Sequence, residues 1–292
     1  MPVFYFFSAR HNKASHLRGA RREKNKPKKP SSMSSVAAGI SWHGPDVYLH
    51  EERMEMTKLI ETRGSIVYRV RLRDQTAVVK RFKHPDSLEH ETELQIIARA
   101  HAESALGRLF VSAYATNRSS IVMESCEGDL SRLPWRVYSN EEIETALRRL
   151  CDDLTTMVAH DVYYTDLKLQ NIVFTRDRHD GAIVYKWADF SSVASSGGWS
   201  TQTYPYPTAR YNFNDYDNTF LPACEEVLVW GLGIIWCQIL GHERLCVEHL
   251  CFDRLTQRSL RAFKFALFKH RVPRALRQIL DLKIHRLDDV FA

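Results

Sequence analysis

Four polar residues gather near the middle of the chain. Asp166, Lys168 and Asn171 lie in the run Tyr163-Tyr164-Thr165-Asp166-Leu167-Lys168-Leu169-Gln170-Asn171, and Asp189 follows a short way downstream. A carboxylate can orient a hydroxyl and take its proton, and an ammonium can neutralise a neighbouring anionic oxygen. An amide and a second carboxylate can offer oxygens to a hard divalent cation. These are the groups of a phosphoryl-transfer pattern, where positioning and charge neutralisation carry the catalysis. The spacing D-x-K-x-x-N is short enough to arise by coincidence, so it needs partners elsewhere in the chain.

The elements around this run can hold it rigidly. Ser139 followed by Glu142 reads as a capping box opening a helix, with Ile143, Leu147, Leu150, Leu154 and Met157/Val158 as its apolar stripe. Asn171–Phe174 and Ile183–Trp187 read as short strands on either side of a polar turn, 176–181. Upstream, Ile66–Leu72 and Thr76–Lys80 form a hairpin around Arg73-Asp74-Gln75. Residues 87–101 repeat Leu88, Leu94, Ile97 and Ala98 at helical spacing, and Ser119–Met123 is another strand. Residues 225–240 and 258–283 supply later helices. A β-rich part, 47–125, followed by a helical part, 126–292, predicts an α+β protein of two lobes behind a basic, disordered tail, 1–46.

The run 163–171 resembles the catalytic loop of eukaryotic-type protein kinases, H-R-D-L-K-x-x-N, with Tyr164 and Thr165 in place of His and Arg. The resemblance implies serine/threonine-type phosphotransfer to proteins from ATP with Mg²⁺. Asp166 would be the base, Lys168 would sit beside the transferring group, and Asn171 would hold the metal. Ala188-Asp189-Phe190-Ser191 resembles the D-F-G turn, which makes Asp189 the second metal ligand. Ala77-Val78-Val79-Lys80 resembles V-A-I-K, whose Lys reaches the α- and β-phosphates. Glu93 fits its helical partner, with Glu91 as the rival. Residues 121–130 resemble the hinge: Met123 as gatekeeper, Glu124 and Cys126 bonding the base through the backbone, Asp129 reaching the ribose or simply capping a helix. Val67 would cover the adenine. In Leu280–Leu287, Arg286 would lock the C-lobe through a buried carboxylate, Glu225 or Glu226. The likeness spans about residues 56–290.

The departures are specific. Only Gly64 stands where G-x-G-x-x-G has three glycines, and glycine is what lets backbone approach phosphates closely. Thr165 removes the Arg that meets an activation-loop phosphate. No A-P-E motif is readable in 192–224, and Leu228 stands where the central helix carries Asp. So compact and divergent a chain, with its basic tail, is similar to the kinases of large DNA viruses, including the herpesvirus type. Two other readings stay open: a pseudokinase scaffold, and a small-molecule phosphotransferase of the same fold. The second usually lacks Lys168 and the Arg286 segment.

Composition sets outer bounds. With 44% apolar and 26% charged residues, the chain of 292 has ample material for a buried core. Its formal charge of +6 is uneven: residues 1–30 carry +8, leaving about −2 for the other 262. The basicity belongs to the tail, which argues against direct nucleic-acid binding by the folded body. Arg18–Lys29 has the composition of a nuclear-import signal read by an import receptor, and equally of a solvated tail. Six scattered cysteines without a C-x-x-C pair read as reduced intracellular thiols. A zinc site from Cys246, His249 and Cys251, with His242, matches no common module. Val3–Phe7 is too short for a signal peptide, and Val227–Leu240, with two glycines and Gln238, reads as a buried helix rather than a membrane span.

Overall fold

The computed structural model describes residues 40–43, 46–49, 52–62, 64–72, 75–117, 119–177, 181–201, 220–250 and 257–292. The basic tail with its import-signal reading lies outside them up to residue 39, as do Arg73, Asp74, residues 202–219 and Cys251. After a small sheet of β1 (Ile40–His43), β2 (Asp46–Leu49) and β3 (Glu52–Arg53), the first half is a five-stranded antiparallel sheet. Its order is β4 (Glu55–Glu61), β5 (Ser65–Leu72), β6 (Gln75–Phe82), β8 (Ser120–Glu124) and β7 (Ala113–Asn117). The β5–β6 hairpin places Val67 directly opposite Lys80, so both side chains share one face. Lys80 is in turn opposite Ile121 on β8.

One helix, α1 (Leu88–Ala102), packs beside this sheet, capped by Ser87 accepting from the His90 N–H. Its inward face differs from the apolar stripe expected. Leu88 is 76% exposed and Ala98 is exposed, whereas His90, Glu93, Ile96 and Ile97 are buried. The buried face is instead centred on Glu93, which meets Lys80, and on Ile96 and Ile97. A short α2 (Ser104–Leu109) follows and leads into β7; the sequence reading had neither element.

The second half is helical, as expected, so the fold is the α+β one: a small antiparallel sheet lobe and a larger helical lobe. The capping box forms in full. The Ser139 hydroxyl accepts from the Glu142 N–H while the Glu142 carboxylate accepts from the Ser139 N–H, opening α3 (Asn140–Ala159). Ile143, Leu147, Leu150, Leu154 and Met157 are buried along it. The central helix α4 (Glu225–Ile239) is apolar all round and buried nearly throughout, which is what such a helix requires in a protein core. No helix among the described residues is long and apolar enough to cross a membrane. Two glycines let neighbours approach α4. A Cβ on Gly231 would lie 2.6 Å from Leu167 Cδ1, and one on Gly233 would lie 2.6 Å from Ile279 Cγ2. Gly231 thus seats the loop that carries Asp166 and Lys168. Helices α5 (Glu243–Leu250), α6 (Gln257–Phe268) and α7 (Arg274–Leu280) complete the lobe.

One expectation for this lobe fails. Arg286 does not lock onto a buried carboxylate: it is exposed, and its nearest ion partner is Asp288 at 3.7 Å. Glu225 accepts instead from the Leu287 N–H at 3.0 Å, and Glu226 pairs with His285 at 3.1 Å. The chain end is held by backbone and by packing of Leu287 and Val290. The Cys246 cluster, expected to be ordinary packed or surface residues rather than a zinc site, is described only in part, since Cys251 lies outside the described residues. His242 stacks on His270, Cys246 is buried beside Cys237, and no group of three metal-ligating side chains occurs among the described residues.

Candidate active site

The residues expected to do chemistry converge from five elements. Lys80 ends the apolar run of β6 and is almost fully buried. Its ammonium donates to Glu93 Oε2 at 2.7 Å and to Asp189 Oδ1 at 2.8 Å. Glu91, the rival, faces solvent and bonds Gln95. Burial works against the Lys80 charge, but Glu93 and Asp189 outweigh it and hold the ammonium above its ordinary range. Burial likewise pushes the Glu93 carboxyl up, with Lys80 only partly offsetting it. Asp189 is held at about 2: burial opposes this, and Lys80 and the Ser191 hydroxyl override it.

The catalytic-loop run is tied to itself and to the turn after β9 (Ile183–Trp187). Lys168 Nζ lies 2.6 Å from Asp166 Oδ2, and the Asn171 amide donates at 3.0 Å to both that oxygen and the Asp166 carbonyl. With its nitrogen so engaged, Asn171 has its carbonyl oxygen to offer a cation. Thr165, where the pattern has Arg, is buried and donates to the Ser192 carbonyl at 2.8 Å. It acts as a neutral brace between the loop and the segment after Asp189.

Tyr164 was quoted in the sequence only as a substitution for His, yet it positions Asp189. Its hydroxyl donates to the carbonyls of Ala188 and, at 2.9 Å, Asp189. Burial pushes that phenol well above its ordinary range, so the O–H stays a donor. Its neighbourhood to Asp166 was the available signal. The Asp189 turn also explains Ser191. The residue with left-handed backbone is Asp189 (φ 62°, ψ 80°), whereas Ser191 sits in a 3-10 turn, 190–192, where glycine's freedom is not needed.

The hinge residues divide. Met123 is buried in the core beneath β8. Glu124 accepts from Lys186 at 2.5 Å and from the Ser112 N–H at 2.6 Å, so its side chain braces β8 rather than facing the cleft. Lys186, on an alternating strand, gave no sign of this in the sequence. The Cys126 thiol is pushed up to about 11, chiefly by burial and then by Glu124, and stays neutral. Asp129 takes the capping alternative: it accepts from the Ser131 N–H at 3.0 Å and pairs with Arg132 at 3.2 Å. Its carboxylate is committed locally.

A cavity of about 780 Å³ opens onto Lys80, Lys168 and Asp189, roofed by Thr62, Gly64 and Ser65. Its far wall is formed by Leu88 of α1 and the exposed Trp199. None of the hinge residues lines it.

A buried lysine paired with a helical glutamate, facing an aspartate turn and an Asp–Lys–Asn loop between a sheet lobe and a helical lobe, is the arrangement that the resemblance to protein kinases implied. The family comparison agrees: the model of the protein kinase domain matches residues 59–275, so the chain belongs to the protein kinase domain family. The comparison with curated proteins returned no match.

Proposed function

We propose that the protein is an active serine/threonine kinase that transfers phosphate from ATP to protein hydroxyls. The observation that carries this is Lys80 bridging Glu93 and Asp189 while Lys168 and Asn171 converge on Asp166. A scaffold has no need to bury and pair the whole set. The donor chemistry suits Mg²⁺ and a triphosphate: the amide oxygen of Asn171 and the carboxylate of Asp189 are hard ligands, and two ammonium groups face the same cavity. Bound Mg²⁺ would neutralise phosphate oxygens. Asp166 accepts a hydrogen bond from the substrate hydroxyl and takes its proton as the oxygen attacks. Lys168 compensates the charge that builds on the transferring group. Lys80, fixed by Glu93, orients the phosphates further back, and the chain's Tyr164 and Thr165 hold the floor still.

Serine/threonine preference rests on Lys168 two residues after the base. The role of Met123, Val67 and the backbone of Glu124 and Cys126 around the adenine rests on their place along β5 and β8. A viral source, and nuclear import through the tail, rest on sequence character alone. The single glycine in the roof is the feature that favours the scaffold reading. Purified protein incubated with labelled ATP, Mg²⁺ and a generic basic protein decides between them, with Asp166→Asn and Lys80→Met alongside. Label in serine or threonine that both variants lose is expected. No transfer by the wild type, whether or not nucleotide binds, sinks the activity, and label confined to small molecules moves the protein to the third reading.

A further inference from the structure

The near-neutral charge of the folded body conceals a separation. Residues 257–280 carry seven Lys/Arg and no Asp or Glu, a net +7, so outside this stretch and the +8 tail the chain sums to about −9. On α6 the exposed positions Arg258, Arg261 and Phe265 recur at helical spacing and share one face, and Lys269 follows in the turn just past its end. Phe265 is 68% exposed with the Lys269 ammonium 4.4 Å from its ring centre. Arg277, on the exposed face of α7, stacks over Phe268 at 5.0 Å and joins the two helices into one surface.

Next to it lies a hollow of about 470 Å³ with an apolar floor that includes Trp236, Val272 and Pro273 and with Arg271 and Arg277 at its edge. Glu144 also borders it, but that carboxylate is already held by Arg148 at 2.6 Å. Arg274 and Arg148 border an adjoining hollow. Arg258, Arg261, Arg271 and Arg274 have no acidic partner among the described residues. Ordinary solvated faces interleave both signs; among the described residues the acids bordering this one are Glu144, held by Arg148, and Asp281, which pairs with Lys264 at 3.1 Å.

We propose that this surface docks an acidic protein segment carrying one bulky apolar residue, which enters the Trp236 hollow while carboxylates meet the arginines. The guanidinium fork matches carboxylates in pairs. At ~1.5 Å per residue the 12 residues of α6 span roughly 18 Å, the reach of about six extended peptide residues at ~3.3 Å each. A short acidic segment meets only the basic patch. A nucleic-acid duplex, with a charge every ~1.7 Å, would run on over a body that is otherwise acidic. A bilayer would find only Phe265 to insert between these cations, too little for stable anchoring. Docking by itself is independent of catalysis; that it selects protein substrates rests on the kinase reading above.

The test uses the full chain without nucleotide and a fluorescein-labelled peptide of Glu and Asp around a single Leu, read by anisotropy. Arg271→Glu with Arg274→Glu should weaken binding by at least about tenfold. Replacing the probe's Leu by Gly should weaken it as well, and neutralising the nine tail cations should leave it unchanged. Melting curves and phosphorylation of a short neutral peptide should match wild type in the double variant, which separates docking from folding and from turnover. Arg271→Gln with Arg274→Gln should lose less in the same direction. The inference is overturned if the double reversal binds like wild type, if only tail neutralisation matters, or if a single-stranded oligonucleotide or phosphatidylserine vesicles displace the peptide from these arginines.

Discussion

The floor and the roof of the phosphate cavity are built in opposite ways. On the floor, Asp166, Asn171 and Thr165 are buried, each bonded to another part of the site, and Leu167 is pressed against Gly231. On the roof, β4 is exposed almost throughout; Thr62 and Ser65 bond each other, and Lys83 ties the roof to the end of β6 through Glu61 and the carbonyls of Thr62 and Gly64. A Cβ on Gly64 would meet only Glu89 Oε2, at an ordinary 3.4 Å. On the proposed function, the buried, bonded groups sit where charge would change during transfer, and the exposed, surface-bonded turn is the part that would cover substrate.

The largest break in that contrast should come from Lys80→Met. Glu93 would stay buried beside Asp189 without its cation, so stability should fall by about 3–5 kcal/mol and transfer by at least about 100-fold. Adding Glu93→Gln should recover much of the stability and none of the activity. A Lys80→Met protein that melts like wild type would mean the pair is not buried in solution. Next is a matched pair of glycine substitutions. In Gly231→Ala, helix propensity favours the change by about 1 kcal/mol, but the new Cβ would sit 2.6 and 2.9 Å from Leu167 Cδ1 and Cβ. Overpacking of that kind costs about 1–3 kcal/mol and should win, lowering kcat while leaving KM for ATP nearly unchanged. Gly64→Ala on the roof should do the reverse: stability within about 0.5 kcal/mol of wild type, kcat retained, and KM for ATP raised a few-fold. Equal effects on kcat from the two glycines would erase the floor–roof distinction.

A further break, read in the pH dependence, concerns a brace beneath the floor. Asp153 is buried on α3 and accepts from the Trp187 indole at 3.0 Å; burial, its main influence, raises its pKa from 3.8 to about 6. Folding therefore takes up a proton between about pH 4 and 6, and stability from this group falls as pH rises through that window. Asp189 acts oppositely and lower: held at about 2, it contributes stability that is lost as pH falls from 3.8. Asp153→Asn keeps the acceptor for Trp187 without the charge. Chemical denaturation should show the variant gaining on wild type from pH 4 to 6 and staying ahead at pH 7. Parallel pH curves would place the titration elsewhere.

Much of this was open to reading along the chain. The hairpin around Lys80, the capping box of α3 and the Asp–Lys–Asn spacing are local, set by residues within a turn or a strand of one another. The choice of Glu93 over Glu91 was not, because two acids on one helix differ only in which face the rest of the protein covers. The same limit misplaced α1's inward stripe, misassigned Arg286 and left Asp129 undecided between ribose and cap. Lys186 and Trp187 had no readable role, since their partners Glu124 and Asp153 are distant in the chain.

By itself the sequence determined which groups the site contains, because pattern and spacing dictate the strand that ends in Lys80, the loop that offers Asp166, Lys168 and Asn171, and the turn that offers Asp189. Only the tertiary structure decided which of them touch and which stay charged. Lys80 holds its proton because two carboxylates from distant segments meet its buried ammonium, and Tyr164 holds Asp189 because β9 brings that turn's carbonyls within reach of the phenol. Charge in a low-dielectric interior is a property of neighbours, and neighbours are what folding chooses.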